Sequence, residues 1–317
     1  MISKVVVRTP FIMNMWERHP KTWRILIDLG IFLKYKTLNI NKIPNKIILS
    51  SSNVLYVNSE ENRGRALLIS DGITQKRLSY FWSTSVKEFS PNLIIDVGVN
   101  YGECLFSTTY PVGAIIYGIE ANHHLIQYII KSREVHPNKA QITIINAFAS
   151  DKTDEQKEFY IDKHWSGTSS ASYIPAHNMI EKVPVRTITI DSIFKKGSTN
   201  GTVLFKVDVE GYEAFVLKGM SRLLESCKSA IGFIEFNSEY IEKSGMIVAA
   251  FFSFLQKYFT IYMYVADDIL VRVDSIHYED LHGILGTDNI HTDLLVVTDE
   301  ENIEVFDFII QDHHKKM

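Results

Sequence analysis

The sequence predicts an α/β fold in which a mostly parallel sheet of seven strands carries helices on both faces. Two observations support this prediction. After about residue 90, short β-branched runs alternate with stretches of helical spacing, a pattern typical of strand–helix–strand units. A glycine-rich turn follows the first of these runs, where folds of this kind bind a ligand. With 46% hydrophobic residues, the 317-residue chain can bury the core that the fold requires.

The elements are predicted from the spacing of apolar residues. The seven strand candidates are Leu93–Val97, Ala114–Ile119, Ile142–Asn146, Thr202–Val207, Ala230–Phe236, Phe259–Val265 and Asp293–Val297. The helix candidates between them are Cys104–Thr109, His123–Glu134 and Tyr212–Glu225. The last two strands close one edge of the sheet, and the long loop between them is compatible with an antiparallel edge strand.

Two parts of the chain interrupt this alternation. Phe159–Ile161 and Val183–Ile190 resemble strands, and they flank a serine-rich loop, Ser166–Ser172, which together predict an inserted hairpin or flap. The other part is the N-terminal extension. We therefore divide the chain into an extension of residues 1–90, a ligand-binding domain of residues 91–300 and a C-terminal tail of residues 301–317.

The extension contains a predicted amphipathic helix, Lys21–Lys36, with Pro20 suited to its first turn. Its apolar side contains Trp23, Leu26, Ile27, Gly30 and Ile31. A basic amphipathic helix can lie on a membrane surface. Packing on the ligand-binding domain or on a partner subunit is the more ordinary arrangement, and we expect it here.

Composition restricts the partners and the compartment. Lys and Arg number 33 and Asp and Glu number 37, so the chain lacks the positive excess that nucleic-acid binding favours. Two cysteines do not form a disulfide framework, so we expect a reducing, cytoplasmic location. The first ten residues lack the features of a signal peptide, and no apolar run is long enough to span a bilayer. The oligomeric state is not predicted.

The strongest signal is the turn after the first strand, which contains Asp96, Gly98, Asn100 and Gly102. Glycines let the backbone approach a ligand closely. A helix expected to begin near Gly102 would offer free N–H groups to a carboxylate, and Asp96 would accept a hydrogen bond from an ammonium group. S-adenosylmethionine carries both groups on its methionyl end. These four residues are therefore predicted to bind that cofactor.

The next two strand ends extend the predicted cofactor site. Glu120 ends the second strand, where an acid commonly binds ribose hydroxyls. Ala147 follows the third strand, where an adenine ring would lie. A nicotinamide-binding oxidoreductase is the main alternative, but its G-x-G-x-x-G fingerprint requires a glycine at the position of Asn100.

A second motif follows the fourth strand and contains Asp208, Glu210 and Glu213. A carboxylate there can deprotonate an acceptor hydroxyl or hold a metal that acidifies it. Acids are also favoured at a helix N-terminus for capping alone. We predict Asp208 and Glu210 as catalytic residues and Glu213 as a substrate contact. No metal site is predicted, although a divalent ion would suit the cluster.

The serine-rich loop and a histidine near the last strand are further candidates for this site. The serine-rich loop could cover the acceptor as a lid, with Ser169 and Ser170 as substrate contacts. His291 precedes the last strand and could face the site, although we expect it to be solvated.

Three segments resemble the FkbM family of methyltransferases. They are IIDVGVNYG, INAFASDKTDE with the later VRTITIDSI, and FKVDVEGYEAFVLKGM, and the last is the most specific. The resemblance covers about residues 92–240 and implies a Rossmann-like class I methyltransferase fold. It also implies methyl transfer from S-adenosylmethionine, generally to a hydroxyl of a sugar, a glycan or a natural product. A non-catalytic docking module remains an alternative, in which residues 1–90 would bind a partner such as a glycosyltransferase. Association with a membrane surface or a glycosyltransferase through residues 1–45 also stays open.

Overall fold

The described chain begins with helices and a short hairpin. The computed structural model describes residues 19–172, 174, 179–194, 201–273, 281 and 289–311. The elements of the first part are α1 (Pro20–Tyr35), β1 (Lys46–Ile48), β2 (Val54–Tyr56), α2 (Asn62–Ile69) and α3 (Lys76–Phe89).

The amphipathic helix predicted at Lys21–Lys36 is confirmed as α1. Proline occupies its first turn, and Lys36 ends it in the left-handed conformation. Ile27 and Ile31 are buried on the side that faces α2, whereas Leu26 is 47% exposed. The helix therefore packs on the molecule through a narrow stripe.

A nine-stranded sheet forms the centre of the described part of the chain, and a smaller sheet lies beside it. The strands are β3 (Leu93–Val97), β4 (Ile115–Glu120), β5 (Ile142–Asn146), β6 (Phe148–Ala149), β7 (Gln156–Asp162), β8 (Ile180–Ile188), β9 (Thr202–Val207), β10 (Ser229–Asn237), β11 (Thr260–Tyr264), β12 (Ile269–Arg272), β13 (His291–Val297) and β14 (Ile309–Gln311). The order in the large sheet is β5–β4–β3–β9–β10–β13–β11–β12–β14.

All seven predicted strands are present in the large sheet. Neighbouring strands from β5 to β10 pair in parallel, and β13 runs antiparallel to β10 and to β11. The antiparallel pairing expected at this end of the sheet is present, but neither of the last two predicted strands is the edge strand, because β13 lies between β10 and β11 and two further strands lie beyond β11. All seven residues of β13 are buried, as expected for a strand with neighbours on both sides. The short strands β12 and β14 extend the sheet beyond the seven predicted strands.

The predicted insertion is confirmed as a hairpin. β7 and β8 pair antiparallel from Gln156 opposite Arg186 to Asp162 opposite Ile180. β6 pairs with β8 and completes a three-stranded sheet. The hairpin covers its own apolar cluster, which includes Phe148 and Phe159.

The helices that cover the large sheet differ from the prediction in two places. They are α4 (His123–Val135), α5 (Ile190–Ile193), α6 (Glu213–Lys218), α7 (Ser221–Ser226), α8 (Ser238–Lys243) and α9 (Val248–Gln256). The single helix predicted at Tyr212–Glu225 is broken between α6 and α7. The Gly219 carbonyl accepts a hydrogen bond from the Asp191 N–H, and a Cβ at Gly219 would lie 2.0 Å from the Ser150 carbonyl oxygen.

The helix predicted at Cys104–Thr109 is absent, and the segment forms turns instead. One helical hydrogen bond joins Phe106 N–H to the Gly102 carbonyl. The Ser107 hydroxyl bonds to the Cys104 carbonyl, and serine and threonine then lead to Pro111, a composition that does not propagate a helix. The turn after β3 therefore lacks the helix N-terminus that we expected to bind a carboxylate.

Apolar layers cover both faces of the large sheet. One layer includes Phe81 and Trp82 of α3, and the other includes Phe251 and Phe252 of α9. Residues 301–311, predicted as part of a tail, pack onto the first layer, where the rings of Phe306 and Phe81 stack at 5.6 Å. The extension and the end of the chain thus share a core with the sheet.

Candidate functional site

A cavity of about 310 Å³ opens at the carboxyl ends of β3, β4, β9 and β10. Pockets of this size hold small molecules. Of the predicted site residues, its wall contains Gly98, Asn100, Glu120, Ala147, Ser169, Asp208 and Glu210. The sequence analysis did not assign a site role to Arg63, Thr74, Gln75, Phe159 or Glu235, which also line it. The structure therefore brings the two sequence motifs together around one space.

The turn after β3 bends through three left-handed residues. Gly98, Asn100 and Gly102 have φ angles of 79°, 52° and 89°. Asparagine tolerates this conformation better than most residues, which explains how the turn forms without a middle glycine. A Cβ at Gly98 would lie 1.8 Å from the Asp208 carbonyl oxygen, so the turns after β3 and β9 touch at this point.

Glu120, the last residue of the neighbouring strand β4, stabilises the turn after β3. Its carboxylate oxygens accept hydrogen bonds from the backbone N–H groups of Asn100 and Asn122, each at 2.7 Å. Burial raises the pKa of Glu120, and these two bonds oppose that effect. Ala147 and Phe148 form the adjacent part of the wall, beyond β5. The ribose and adenine contacts assigned to Glu120 and Ala147 stay predictions, with both residues on the wall.

Asp96 and Gly102 do not line the cavity. Asp96 is fully buried, and its carboxylate lies 3.3 Å from Lys206 Nζ, which also donates to the Gly98 carbonyl at 2.8 Å. Burial raises the pKa of Asp96, and the Lys206 charge opposes that effect. In this arrangement the Asp96 carboxylate pairs with the ammonium group of Lys206, where we had predicted the ammonium group of a ligand. Asp96 shapes the turn from behind the wall.

Asp208 and Glu210 form the acidic side of the cavity. The Asp208 side chain is 21% exposed, and its Oδ2 lies 3.5 Å from Lys206 Nζ. Glu210 has a φ of 53°, a conformation that costs a non-glycine residue energy and that is enriched at functional sites. The Ser170 hydroxyl donates to its carbonyl at 2.9 Å.

Glu213 lies outside the cavity wall. It is 1% exposed, and its Oε1 accepts hydrogen bonds from the backbone N–H groups of Val209 and Gly211. Burial, and next the charge of Glu235, raise the pKa of Glu213 to about 8. Its position suits a residue that holds the turn after β9 in place, and does not suit the predicted substrate contact.

Glu235 near the end of β10 is a buried carboxylate that the sequence analysis missed. Its Oε1 lies 2.9 Å from His291 Nε2, and both residues are less than 9% exposed. The expectation that His291 is solvated is wrong, because the antiparallel register places it two residues beyond the partner of Glu235, against the end of β10. The only sequence signal was an acid inside an otherwise apolar run.

Three carboxylates converge at this end of the cavity. One oxygen from each of Asp208, Glu210 and Glu235 lies within 4.8 Å of the other two. Carboxylate oxygens at this spacing can hold a divalent cation. The sequence analysis did not predict a metal, since Glu235 was not recognised as a member of the group.

The serine-rich loop forms another part of the wall and contacts the turn after β9. Ser169 lines the cavity, and its hydroxyl accepts from the Asp162 N–H at 3.1 Å. Ser170 is fully buried and does not line the cavity, so its predicted substrate contact does not match its position. Trp165 also lines the cavity, and the Arg63 guanidinium lies 5.8 Å from its ring centroid. Whether the loop moves as a lid stays a prediction.

Glu61 of the extension connects three parts of the site. Its Oε1 accepts from the Ser166 N–H at 3.0 Å, and its Oε2 accepts from the Tyr101 hydroxyl at 2.9 Å. It also caps the N-terminus of α2 through Arg63 and Gly64. The extension therefore forms part of the site.

Comparison with known proteins identifies the domain that contains this cavity. The family model of the methyltransferase FkbM domain matches residues 96–264. No curated protein matches the chain in sequence.

Similar solved structures include an O-methyltransferase from Bacillus cereus in complex with S-adenosylhomocysteine, at 7% identity and a TM-score of 0.39. They also include the O-methyltransferase TomG from Streptomyces achromogenes, involved in tomaymycin synthesis, in complex with S-adenosylmethionine, at 8% identity and a TM-score of 0.39. Each match covers 72% of this chain and 82% of the other.

Proposed function

The chain belongs to the FkbM family of methyltransferases, whose methyl donor is S-adenosylmethionine, and we propose that its acceptor is a hydroxyl group on a sugar, a glycan or a glycosylated natural product. The observation that carries this proposal is the position of Asp208. It lies on the wall of the same cavity as the turn after β3, and its side chain is partly exposed. A carboxylate there can accept the proton of a hydroxyl as the hydroxyl attacks.

The residues on the β3 and β4 side of the cavity fit the cofactor. Gly98 has no side chain, so its backbone is exposed on the cavity wall. A larger residue does not fit there, because its Cβ would lie too close to the Asp208 carbonyl oxygen. Glu120 offers carboxylate oxygens that can accept from ribose hydroxyls. Ala147 and Phe148 supply apolar surface for a purine. When bound, S-adenosylmethionine supplies an electrophilic methyl group.

Further residues of the cavity wall support a hydroxylated acceptor. Trp165 presents an aromatic ring, and Arg63, Gln75 and Ser169 present polar groups to the same space. Aromatic rings stack on the apolar faces of sugars, while polar side chains bind the hydroxyls around the ring. This combination supports a sugar-like acceptor over a purely apolar one.

Asp208 is positioned by a neighbouring lysine. Lys206 Nζ lies 3.5 Å from its Oδ2 and also bonds to the Gly98 carbonyl. The lysine therefore links the base to the cofactor turn, and Asp208 keeps a fixed position relative to that turn. Such positioning contributes to the rate together with proton removal.

The test measures transfer of a labelled methyl group from S-adenosylmethionine to a panel of methyl glycosides and glycolipids. We expect Asp208→Asn to lower kcat by about 10²-fold or more and to change the affinity for S-adenosylhomocysteine by less than about tenfold. Glu304→Gln, an exposed acid far from the cavity in sequence, serves as the matched control and should leave both unchanged.

Three outcomes would contradict the proposal. Full turnover by the Asp208→Asn protein would show that Asp208 is not the base. Methylation of amines but not of hydroxyls would show that the acceptor group is an amine. A loss of S-adenosylhomocysteine binding in the variant would move Asp208 from the acceptor side to the cofactor side.

A further inference from the structure

The outer face of α1 exposes a continuous set of large apolar side chains. Its members are Ile25 at 67%, Leu26 at 47%, Leu29 at 51%, Phe32 at 47% and Leu33 at 59% exposure. The spacing of three and four residues places them on one side of the helix. Ile27 and Ile31 point the other way and are buried. The helix therefore has apolar residues on both sides, and only one side is used for packing in the described part of the chain.

Exposed lysines flank this outer face. Lys21 lies in the first turn of α1, Lys36 directly follows its last residue, and both are exposed. Lys42 and Lys46 follow in the next segment and are also exposed, as is the side chain of Ile48 at 70%. Exposed lysines thus lie at both ends of the apolar face and in the segment that follows it.

Charge is divided unevenly along the chain. Residues 1–46 contain nine Lys and Arg and two Asp and Glu, whereas the remaining residues contain 24 and 35. The molecule as a whole is acidic, so its basic residues are not a general surface property. Basic residues near exposed apolar side chains complement a surface with an anionic outer layer and an apolar interior beneath it.

We propose that the outer face of α1 docks this protein on an anionic lipid membrane as a peripheral helix. The apolar side chains enter the boundary between headgroups and acyl chains, and the lysines pair with lipid phosphates. Among the described residues, no helix is long and apolar enough to cross a membrane, and the docking requires none. This inference does not depend on the acceptor proposed above.

The position of α1 connects such docking to the site. The ring of Trp23 on α1 lies 6.4 Å from the ring of Trp165, which lines the cavity. Arg24 donates to the Asn62 side chain at 2.8 Å, and the Asn62 amide lies 3.0 Å from His164 Nδ1. The serine-rich loop and the membrane would then lie on opposite sides of one helix, about 10 Å thick.

The test is co-sedimentation of the full chain with vesicles of phosphatidylcholine alone or mixed with phosphatidylserine. We expect binding to the mixed vesicles, with weakening as salt is raised because screening shortens the range of the attraction. Leu29→Asp/Phe32→Asp should lower binding by about tenfold or more, since two inserted apolar side chains are lost. Lys21→Glu/Lys36→Glu should weaken binding to the mixed vesicles only.

The matched control is Val112→Asp, which places the same charge on a fully exposed apolar position away from α1. It should bind as the unchanged protein does. S-adenosylhomocysteine binding and thermal unfolding of every variant establish that the fold is intact. The proposal is overturned if the unchanged protein does not sediment with mixed vesicles, or if Val112→Asp reduces binding equally. It is also overturned if light scattering shows a dimer that Leu29→Asp/Phe32→Asp dissociates, because a second copy would then cover the face.

Discussion

The turns after β3 and β9 lie side by side and have a similar construction. Each contains left-handed residues, Gly98, Asn100 and Gly102 in one and Glu210 and Gly211 in the other. In each, a buried glutamate accepts hydrogen bonds from two backbone N–H groups: Glu120 from Asn100 and Asn122, and Glu213 from Val209 and Gly211.

The electrostatic surroundings of the two glutamates differ. The charge of Lys206 acts to lower the pKa of Glu120, whereas the charge of Glu235 raises that of Glu213. Glu120 also lines the cavity, and Glu213 does not. The same pattern of hydrogen bonds therefore serves two purposes. In the first turn the bonded carboxylate, Glu120, lies on the cavity wall; in the second, Glu213 is buried behind the wall, which is formed by Asp208 and Glu210.

The contact between the two turns is the point where a single substitution has the largest expected effect. Gly98→Ala would place a methyl group against the Asp208 carbonyl in a left-handed conformation. We expect it to cost about 5 kcal/mol or more in unfolding free energy and to abolish S-adenosylhomocysteine binding. Calorimetric titration and urea unfolding measure both quantities.

Gly113→Ala is the matched control for this prediction. Gly113 has a φ of 85°, similar to that of Gly98, but a Cβ there would meet nothing within 4 Å. It should cost about 1–2 kcal/mol, the conformational term alone. Equal losses in the two variants would show that the turns do not constrain each other.

Substitution of Lys206, which contacts both turns, has the next largest expected effect on stability. Lys206→Met would leave the carboxylate of Asp96 buried without its ion pair, at a cost of about 3–5 kcal/mol in unfolding free energy. Adding Asp96→Asn should recover part of that loss. Urea unfolding measures it, with the exposed Lys228→Met as control. A double variant as unstable as the single one would show that Lys206 acts through other contacts.

The glutamate of the second turn gives a further effect that depends on pH. The pKa of Glu213 is raised to about 8 in the folded protein, so the folded state holds a proton that the unfolded state releases above about pH 4.5. Unfolding free energy should therefore fall as pH rises from about 4.5 to 8 and level off above it. Glu213→Gln removes this contribution, so it should stabilise the protein increasingly as pH rises, from little near pH 5 to about 4 kcal/mol at pH 8.

Urea unfolding of both proteins across this pH range measures the difference. The same curve for Glu120→Gln serves as the comparison, because burial also raises the pKa of Glu120, but two backbone hydrogen bonds and the charge of Lys206 oppose that effect. A constant difference between Glu213→Gln and the unchanged protein at every pH would contradict the prediction.

The strands of the sheet could be predicted from the sequence because burial on both faces requires continuous apolar runs. β3, β5 and β9 begin and end where the runs do. The turn after β3 and the acids after β9 were found because parallel strands bring their carboxyl ends to one edge. These are local patterns, and each is contained in a few consecutive residues.

The features that the sequence did not predict depend on contacts between distant segments. The break between α6 and α7 requires the Asp191 N–H and the Ser150 carbonyl on either side of Gly219. Glu235 reaches His291 only through the register of β10 with β13. Arg63 enters the cavity wall because α2 packs beside the serine-rich loop. None of these pairings leaves a periodic trace in the sequence.

The position of β13 has a consequence for the order in which the molecule can be made. β13 fills the space between β10 and β11, yet it is the last of these three strands to be synthesised. Until residues 291–297 leave the ribosome, β10 and β11 each present an unpaired apolar edge, and such edges invite association with other chains. The growing chain therefore depends on residues 291–297 to close the sheet, and slow translation before that point would favour aggregation.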